Sequence, residues 1–546
     1  MCGILFILGT NHISREYVKE QLFLLASLEN RGPDKTIIYS NNNVIAGHTR
    51  LNIHDLTPLG DQPFTLTYYD EFECRNVSCT LIVNGEIYNY KEIIIEHELT
   101  DLKSDSDCEV IIMLWKKYKD FSKIIDIIRG EFAFVLHVEY LQTASKPYEY
   151  CTNICRDPFG VRPLFWNMRD GNYFFGSTLA SVGMGGRVFS PGRHVQISST
   201  GTVTNDYYIY PQIQDAIERD IKCIYKNFTD KLIYAVKIRL SSDRPIGITL
   251  SGGLDSSIVA GIAVILGVKN LHTFTTGLYG SVDIANAELC AKHLKTIHKS
   301  VPKSVDIACS WITKAIIMLE TWDITTIRAS IWQIIISHYI STETNIKVIL
   351  NGDGADELLM GYKENYLSPN MKEAFDHVTH RLKNIHKYDG LRMDRSVSSH
   401  GLEARPPLLD VDFVDYVRTI DPELMMPIKG ERMEKDICRQ AFKALYPDII
   451  PDEILMRPKE AFSDGVSTVD SDKSWFNIIQ EFIDLTVPDI EYNDRHSRFA
   501  SCHNKEAYYY KKIFYDNFGD NFDVIGEYWM PKWSNTLEPS ARDLVV

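Results

Sequence analysis

The sequence predicts an α/β chain in two parts: strands covered by helices up to about residue 200, then a doubly wound parallel sheet from about residue 213. Three observations carry this. In the first part short β-like runs, Cys79 to Val83, Glu131 to Val138 and Tyr173 to Phe175, are separated by Gly and Pro. Two helical stretches interrupt them, one over about Arg15 to Glu29, the other from the acidic cluster Asp105 to Asp107 through Tyr118, with Val110, Ile111, Leu114 and Tyr118 on one face. In the second part longer helices alternate with short buried strands at Ile246 to Leu250, Leu271 to Thr275 and Val348 to Leu350, which is the pattern of βαβ crossovers. The polar stretch Ser198 to Tyr225, with Gly201 and Pro211, reads as the linker. The expected boundaries are 2–200, 213–533 and a loosely held tail, 534–546.

Composition narrows the function classes. A chain of 546 residues, 45% of them hydrophobic, is long enough for several large cores. Acidic residues exceed basic ones by 73 − 58, a net charge of −15, and the basic residues are scattered, which disfavours nucleic-acid binding. The eleven cysteines show no paired C-x-x-C spacing; Cys151 and Cys155 have no matching second pair, so neither zinc nor a disulfide framework is expected. The longest apolar run, Ile258 to Val268, is too short for a membrane span, and a chain opening on its own nucleophile leaves no room for a cleaved signal, so a cytoplasmic protein is expected.

Cys2 follows Met1 directly. Removing one residue would leave a thiol and an α-amine on the same residue, and an amine of pKa about 8 is a suitable base for a thiol of pKa about 8.5. Downstream stand Arg31-Gly32-Pro33-Asp34, His48-Thr49-Arg50-Leu51-Asn52-Ile53, Asn84-Gly85-Glu86-Ile87-Tyr88-Asn89 and Ser106-Asp107-Cys108-Glu109. Amide hydrolysis by a thiolate needs a partner for the substrate carboxylate, an acid for its ammonium and donors for the oxyanion, and Arg50, Asp107 and Asn84-Gly85 are candidates in that order.

With Cys2, this set resembles the class II glutamine amidotransferases, whose fold is the four-layer αββα sandwich of the N-terminal-nucleophile hydrolases. The resemblance implies that Cys2 attacks the glutamine amide with its own amine as base. Asn84 and Gly85 would then form the oxyanion hole, Arg50 and Asp107 would hold the substrate's two charged groups, and Leu51, Asn52, Ile53, His54 and Glu86 would line the pocket.

In the second part, Gly247-Ile248-Thr249-Leu250 leads into Ser251-Gly252-Gly253-Leu254-Asp255-Ser256-Ser257, a strand, glycine turn and helix start that exposes N–H groups to an anion. The ending Gly-Lys-Ser/Thr is absent, so this is not a Walker loop. Asn351-Gly352-Asp353-Gly354-Ala355-Asp356-Glu357 follows the strand Val348 to Leu350, and its crowded carboxylates suit a shared cation, with Asp255 and Asp356 as the expected Mg2+ ligands. The serine-glycine loop resembles that of the ATP-pyrophosphatases, which bind the pyrophosphate of ATP while adenylating an acid.

Further segments, Thr321 to Ser330, His400 to Arg405, Arg457 to Gly465 and Trp529 to Trp533, extend the resemblance to the glutamine-hydrolysing asparagine synthetase family over nearly the whole chain. It implies adenylation of aspartate by ATP and displacement of AMP by ammonia carried internally from glutamine. Lys459 would neutralise phosphate charge, Leu250, Thr276, Gly277, Asn351 and Gly352 would cradle the nucleotide, and Thr325, Thr326, Arg328, Tyr362 and Arg405 would shape the aspartate pocket. Partners are small molecules, and a homodimer is left open. Related adenylating amidotransferases acting on another acid, or a regulatory homologue that has lost synthesis, are the alternatives; the apparent integrity of Cys2, Asp255 and Lys459 argues against the second.

The chain departs from the family at two points. Asp353 stands where a glutamate is usual, a carboxylate withdrawn by about 1.5 Å, and misplacement on the order of 1 Å costs on the order of a hundredfold in rate, so slower synthesis is expected. Arg405-Pro406-Pro407-Leu408-Leu409-Asp410 carries a proline beyond the usual pattern.

Overall fold

The computed structural model describes residues 1–9, 13–41, 43–460, 465–467, 474–536 and 538–544. The chain divides into two compact units, residues 1–209 with 241–244, and 210–240 with 245–546.

The first unit is a sandwich of two six-stranded antiparallel sheets. One sheet runs in the order Arg187–Val188, Phe165–Arg169, Asn172–Gly176, Gly3–Leu8, Val44–Arg50, Lys35–Asn41; the other Gly201–Asp206, Arg193–Ser198, Glu149–Arg156, Gly130–Tyr140, Arg75–Ile87, Phe64–Asp70. Strand alternation sorts the side chains. Ile82, Ala133, Val135 and Ile154 meet Ile4, Phe6, Val44 and Ala46 between the sheets, whereas Leu81, Val83, Phe132 and Phe134 face outward and pack on the helices Val110–Tyr118 and Phe121–Ile127. The helices Leu22–Ala26 and Leu179–Val182 cover the other outer face. The layers are therefore α, β, β, α.

The second unit holds a five-stranded sheet, every neighbouring pair parallel, in the order Ile297–Lys303, His272–Leu278, Ile246–Thr249, Val348–Leu350, Glu403–Arg405. The chain winds outward from Ile246–Thr249 in one direction and then returns to its other side at Val348–Leu350. The order reverses between these two strands, and in open α/β sheets ligands bind at the carboxyl ends of strands flanking such a reversal. Both acidic or glycine-rich motifs of this part leave the sheet there.

Three expectations change. The stretch Arg15 to Glu29 is two short helices, Arg15–Glu20 and Leu22–Ala26, broken at Gln21. The linker is shorter than Ser198 to Tyr225, because Gly201–Asp206 pairs with Arg193–Ser198 as an edge strand and Ile221 begins a long helix. Every residue of that edge strand is exposed, so it has strand pairing without an apolar face, and its composition reads as loop. Among the described residues of the expected tail, Glu538 forms an ion pair with the buried Arg328.

Candidate active sites

In the first unit Cys2 directly precedes the strand Gly3–Leu8. Its Sγ lies 3.5 Å from the Leu51 N–H and 3.7 Å from the Leu51 carbonyl, and its own carbonyl accepts from Arg31 Nε at 3.1 Å. Met1 is buried, its sulfur against Arg162. The strand Gly3–Leu8 packs across the sandwich on Arg75–Ile87, which carries Asn84 and Gly85. Asn84 is fully buried, and neither its amide nitrogen nor its oxygen has a hydrogen-bond partner. An amide left unsatisfied in a core costs on the order of 1–3 kcal/mol, which a ligand oxygen would repay. Gly85 is required by close approach, since a Cβ there would meet the Glu131 carbonyl oxygen at 2.3 Å and Phe132 Cα at 2.6 Å.

A cluster of acids lies beside this strand. His54 Nε2 is 3.1 Å from Glu86 Oε2. Asp107 Oδ2 accepts from the Ile87 N–H at 2.7 Å and from Cys108 Sγ at 3.4 Å. Burial, and then the Glu86 charge, push the Asp107 carboxyl up to about 7. Arg50 is arranged differently from expectation: its Nη groups donate to the Thr57 carbonyl at 2.8 Å, Asp61 Oδ1 at 2.7 Å and the carbonyls of His54 and Asp55. Of its five N–H donors, Nε alone remains for a substrate. In the pocket segment the Asn52 N–H is held by Asp34 at 2.8 Å, and the Ile53 carbonyl accepts from Asp243 at 3.1 Å.

In the second unit a cavity of about 270 Å³ opens at the switch point of the sheet. Its wall includes Leu250, Ser251, Asp255 and Ser256 from one loop, Asn351, Gly352, Asp353 and Asp356 from the next, and Thr276, Thr325, Tyr362 and Lys459 from elsewhere. The two loops touch: a Cβ on Gly352 would lie 2.7 Å from the Ser256 nitrogen. Gly252 has φ +72° and would clash with Ala287 and Asn286, and Gly253 caps the helix Leu254–Ile265 with no side-chain bond of its own to the helix N–H groups. The helix end is thus left open to an anion.

The cations and carboxylates of the cavity are interlocked. Lys435 Nζ is 2.6 Å from both Asp255 and Asp356, and Lys459 Nζ is 2.5 Å from Asp356. Against burial, the two lysines hold Asp356 well below the usual carboxylate range, while its charge raises Lys459 against the burial that would lower it. Asp353 pairs with Arg392 at 2.7 Å, and Arg392 also reaches Asp389 at 2.6 Å. Burial raises Asp353 despite Arg392. Burial with Asp389 and Asp356 pushes Glu357 up to about 8.

Not every expected residue reaches the cavity. Gly252, Gly253, Leu254, Ser257 and Gly277 are not among the residues of its wall. Thr326 bonds Asp323 at the cap of the helix Ile324–Glu343. Arg328 is spent on Glu506 and Glu538, and Arg405 on Glu403 and the Arg239 carbonyl. Of the segment Arg457 to Gly465, residues Ala461, Phe462, Ser463 and Asp464 lie outside the described residues.

Residues 1–208 match the family model described as "Glutamine amidotransferase domain", and residues 227–378 and 368–535 that described as "Asparagine synthase". A probable glutamine-hydrolysing asparagine synthetase of Acanthamoeba polyphaga mimivirus is 35% identical over 577 residues, covering 100% of each chain. Asparagine synthetases of Rattus norvegicus and Homo sapiens are each 33% identical, over 100% of this chain and 98% of theirs. The chain belongs to the glutamine-hydrolysing asparagine synthetase family.

For an asparagine synthetase the residues that sequence reasoning missed are those without a local motif. Lys435 stands just before the helix Asp436–Leu445, Arg381 lies in Met371–Asn384, and Asp389 and Arg392 share Asp389–Ser398; these segments meet the nucleotide loops only in the fold. Arg457 opens the Arg457 to Gly465 segment, and its Nη1 donates to the Gly252 carbonyl at 3.1 Å.

Proposed function

We propose that this chain converts aspartate, ATP and glutamine to asparagine, AMP, pyrophosphate and glutamate. The observation that carries the reading is the tandem of a buried, unsatisfied Asn84 beside the Cys2 strand and a glycine-lined anion site at a sheet switch point, in a chain matching asparagine synthetases end to end.

With Met1 removed, the Cys2 amine takes the thiol proton and the sulfur attacks the glutamine side-chain carbonyl. The oxyanion collects donors from Asn84 Nδ2 and the Gly85 N–H, ammonia leaves, and water cleaves the thioester to glutamate. Asp107 and the remaining Arg50 donor hold the α-ammonium and α-carboxylate. In the second unit, the aspartate β-carboxylate attacks the α-phosphorus of ATP and pyrophosphate departs into the Ser251 to Ser256 loop, with Lys459 facing the growing charge. Ammonia then attacks the acyl carbon and AMP leaves, with Asp353 as the base that takes a proton from the incoming nitrogen.

Asp255 and Asp356 already converge on one cation, the Lys435 ammonium, and two carboxylates plus phosphate oxygens are a usual magnesium donor set. A magnesium ion held by Asp255 and Asp356 would supply further charge neutralisation to the pyrophosphate. Eleven free cysteines support a reducing, cytoplasmic setting, and no described helix is long and apolar enough to cross a membrane.

The test supplies ATP, magnesium and aspartate with either glutamine or ammonium and follows asparagine, AMP and pyrophosphate. Cys2→Ala should lose synthesis from glutamine and keep synthesis from ammonium; loss of both, or of neither, contradicts the reading.

A further inference from the structure

Arg328 leads to a role for the last residues of the chain. Its guanidinium is 1% exposed and donates through Nε and Nη2 to Glu506, at 2.8 and 2.6 Å, and through Nη1 to Glu538 at 2.5 Å. Glu506 is fully buried and also accepts from Gln480 at 2.6 Å. Glu538 is built into a compact turn. Its N–H donates to Thr536 Oγ1 at 2.9 Å, its Oε1 accepts from the Ser540 N–H and hydroxyl at 3.1 and 2.8 Å, and its carbonyl accepts from the Ala541 N–H at 3.1 Å. Arg542 lies over the Phe476 ring at 4.4 Å, and Arg328 lies over the same ring at 4.8 Å. Arg542 Nη2 also donates to the Ser474 hydroxyl at 3.4 Å. Pro539, Ser540, Ala541 and Arg542 thereby line the same cavity as Ser251, Asp353 and Lys459.

We propose that residues 538–542 form a wall of the acid-activating cavity, aimed by the Arg328–Glu538 ion pair, and that Ser540 and Arg542 on this wall contact the bound aspartate. Arg328 and Glu538 are positioning residues in this arrangement. The inference rests on the function proposed above. A guanidinium suits a carboxylate, and the Ser540 oxygen, whose proton goes to Glu538, can accept from the aspartate ammonium. The nucleotide has its own donors in the Ser251 to Ser256 loop, and Arg381, Arg392 and Lys459 already face Glu364, Asp353 and Asp356 across the cavity. Glu538→Gln is an informative substitution because Arg328 keeps Glu506, so no buried charge is stranded.

The experiment measures ammonium-dependent synthesis in the full chain, with separate KM values for aspartate and ATP and with glutaminase activity as the check on folding. Glu538→Gln and Arg542→Gln should each raise the KM for aspartate about tenfold, the worth of one charged hydrogen bond. The KM for ATP and the glutaminase rate should stay within about twofold, below the threshold of a lost contact. Glu538→Asp should recover part of the loss, and deletion of residues 538–546 should exceed either substitution. If the parent makes asparagine and the substitutions leave the aspartate KM unchanged, or raise the ATP KM alone, the wall is wrong and the function stands. If the parent makes no asparagine from either nitrogen source, the function itself fails.

Discussion

At the residue scale two carboxylates set the pH and rate behaviour. Asp107 titrates near 7 in the fold against 3.8 unfolded, so between those values the folded chain binds the extra proton. Its contribution therefore turns unfavourable as pH rises from about 4 to about 7, and is fully unfavourable above that. Asp107→Asn should raise stability at pH 8 by about 4 kcal/mol, at about 1.4 kcal/mol per pH unit, and leave it unchanged near pH 4, as urea titrations at the two pH values would show. The same ionisation serves binding, since only the carboxylate can hold an ammonium. The glutamine KM should fall as pH rises through about 7 in the parent and lose that dependence in Asp107→Asn; a parallel pH profile would remove Asp107 from the substrate site. Asp353, paired with Arg392, is one methylene shorter than the glutamate that the resemblance implies at this position. Asp353→Glu should raise the ammonium-dependent kcat by roughly tenfold or more, and an unchanged kcat would show that the shorter side chain is already compensated.

At the scale of elements, the synthetase site is the contact of two loops, and glycine makes that contact. A methyl on Gly352 would lie 2.7 Å from the Ser256 nitrogen, so Gly352→Ala must part the loops. Synthesis should drop by on the order of a hundredfold, with glutaminase activity retained as the comparison. Lys435 joins the same loops by charge, its side chain 2% exposed between Asp255 and Asp356. Lys435→Met should destabilise the chain by about 3 kcal/mol, because two carboxylates are left without their shared ammonium. Magnesium should restore part of that stability in urea unfolding of the variant more than of the parent; equal effects on both would place the metal elsewhere.

At the scale of the whole chain, sequence and fold divide the work unevenly. The strands Cys79 to Val83, Glu131 to Val138 and Val348 to Leu350 were legible because each is a short, mostly apolar run, and each is buried on both faces. The Ser251 to Ser257 and Asn351 to Glu357 motifs were legible because a strand, a glycine turn and a helix start are local in sequence. The edge strand Gly201–Asp206 was not, since its stability comes from backbone pairing with Arg193–Ser198. Arg328 and Arg405 read as substrate contacts because an arginine in a motif has the chemistry for it; which anion it meets depends on partners at Glu506, Glu538 and Glu403, two of them more than 150 residues distant from Arg328. The sequence alone carried the family, the candidate nucleophile, the candidate anion loops and the order in which they occur, because these rest on residue type and local motif. Only the tertiary structure decided which charges face the cavity and which are neutralised in the core, and that Pro539 to Arg542 form part of its wall. Coulomb pairing and burial depend on distance in space, and distance along the chain does not encode it.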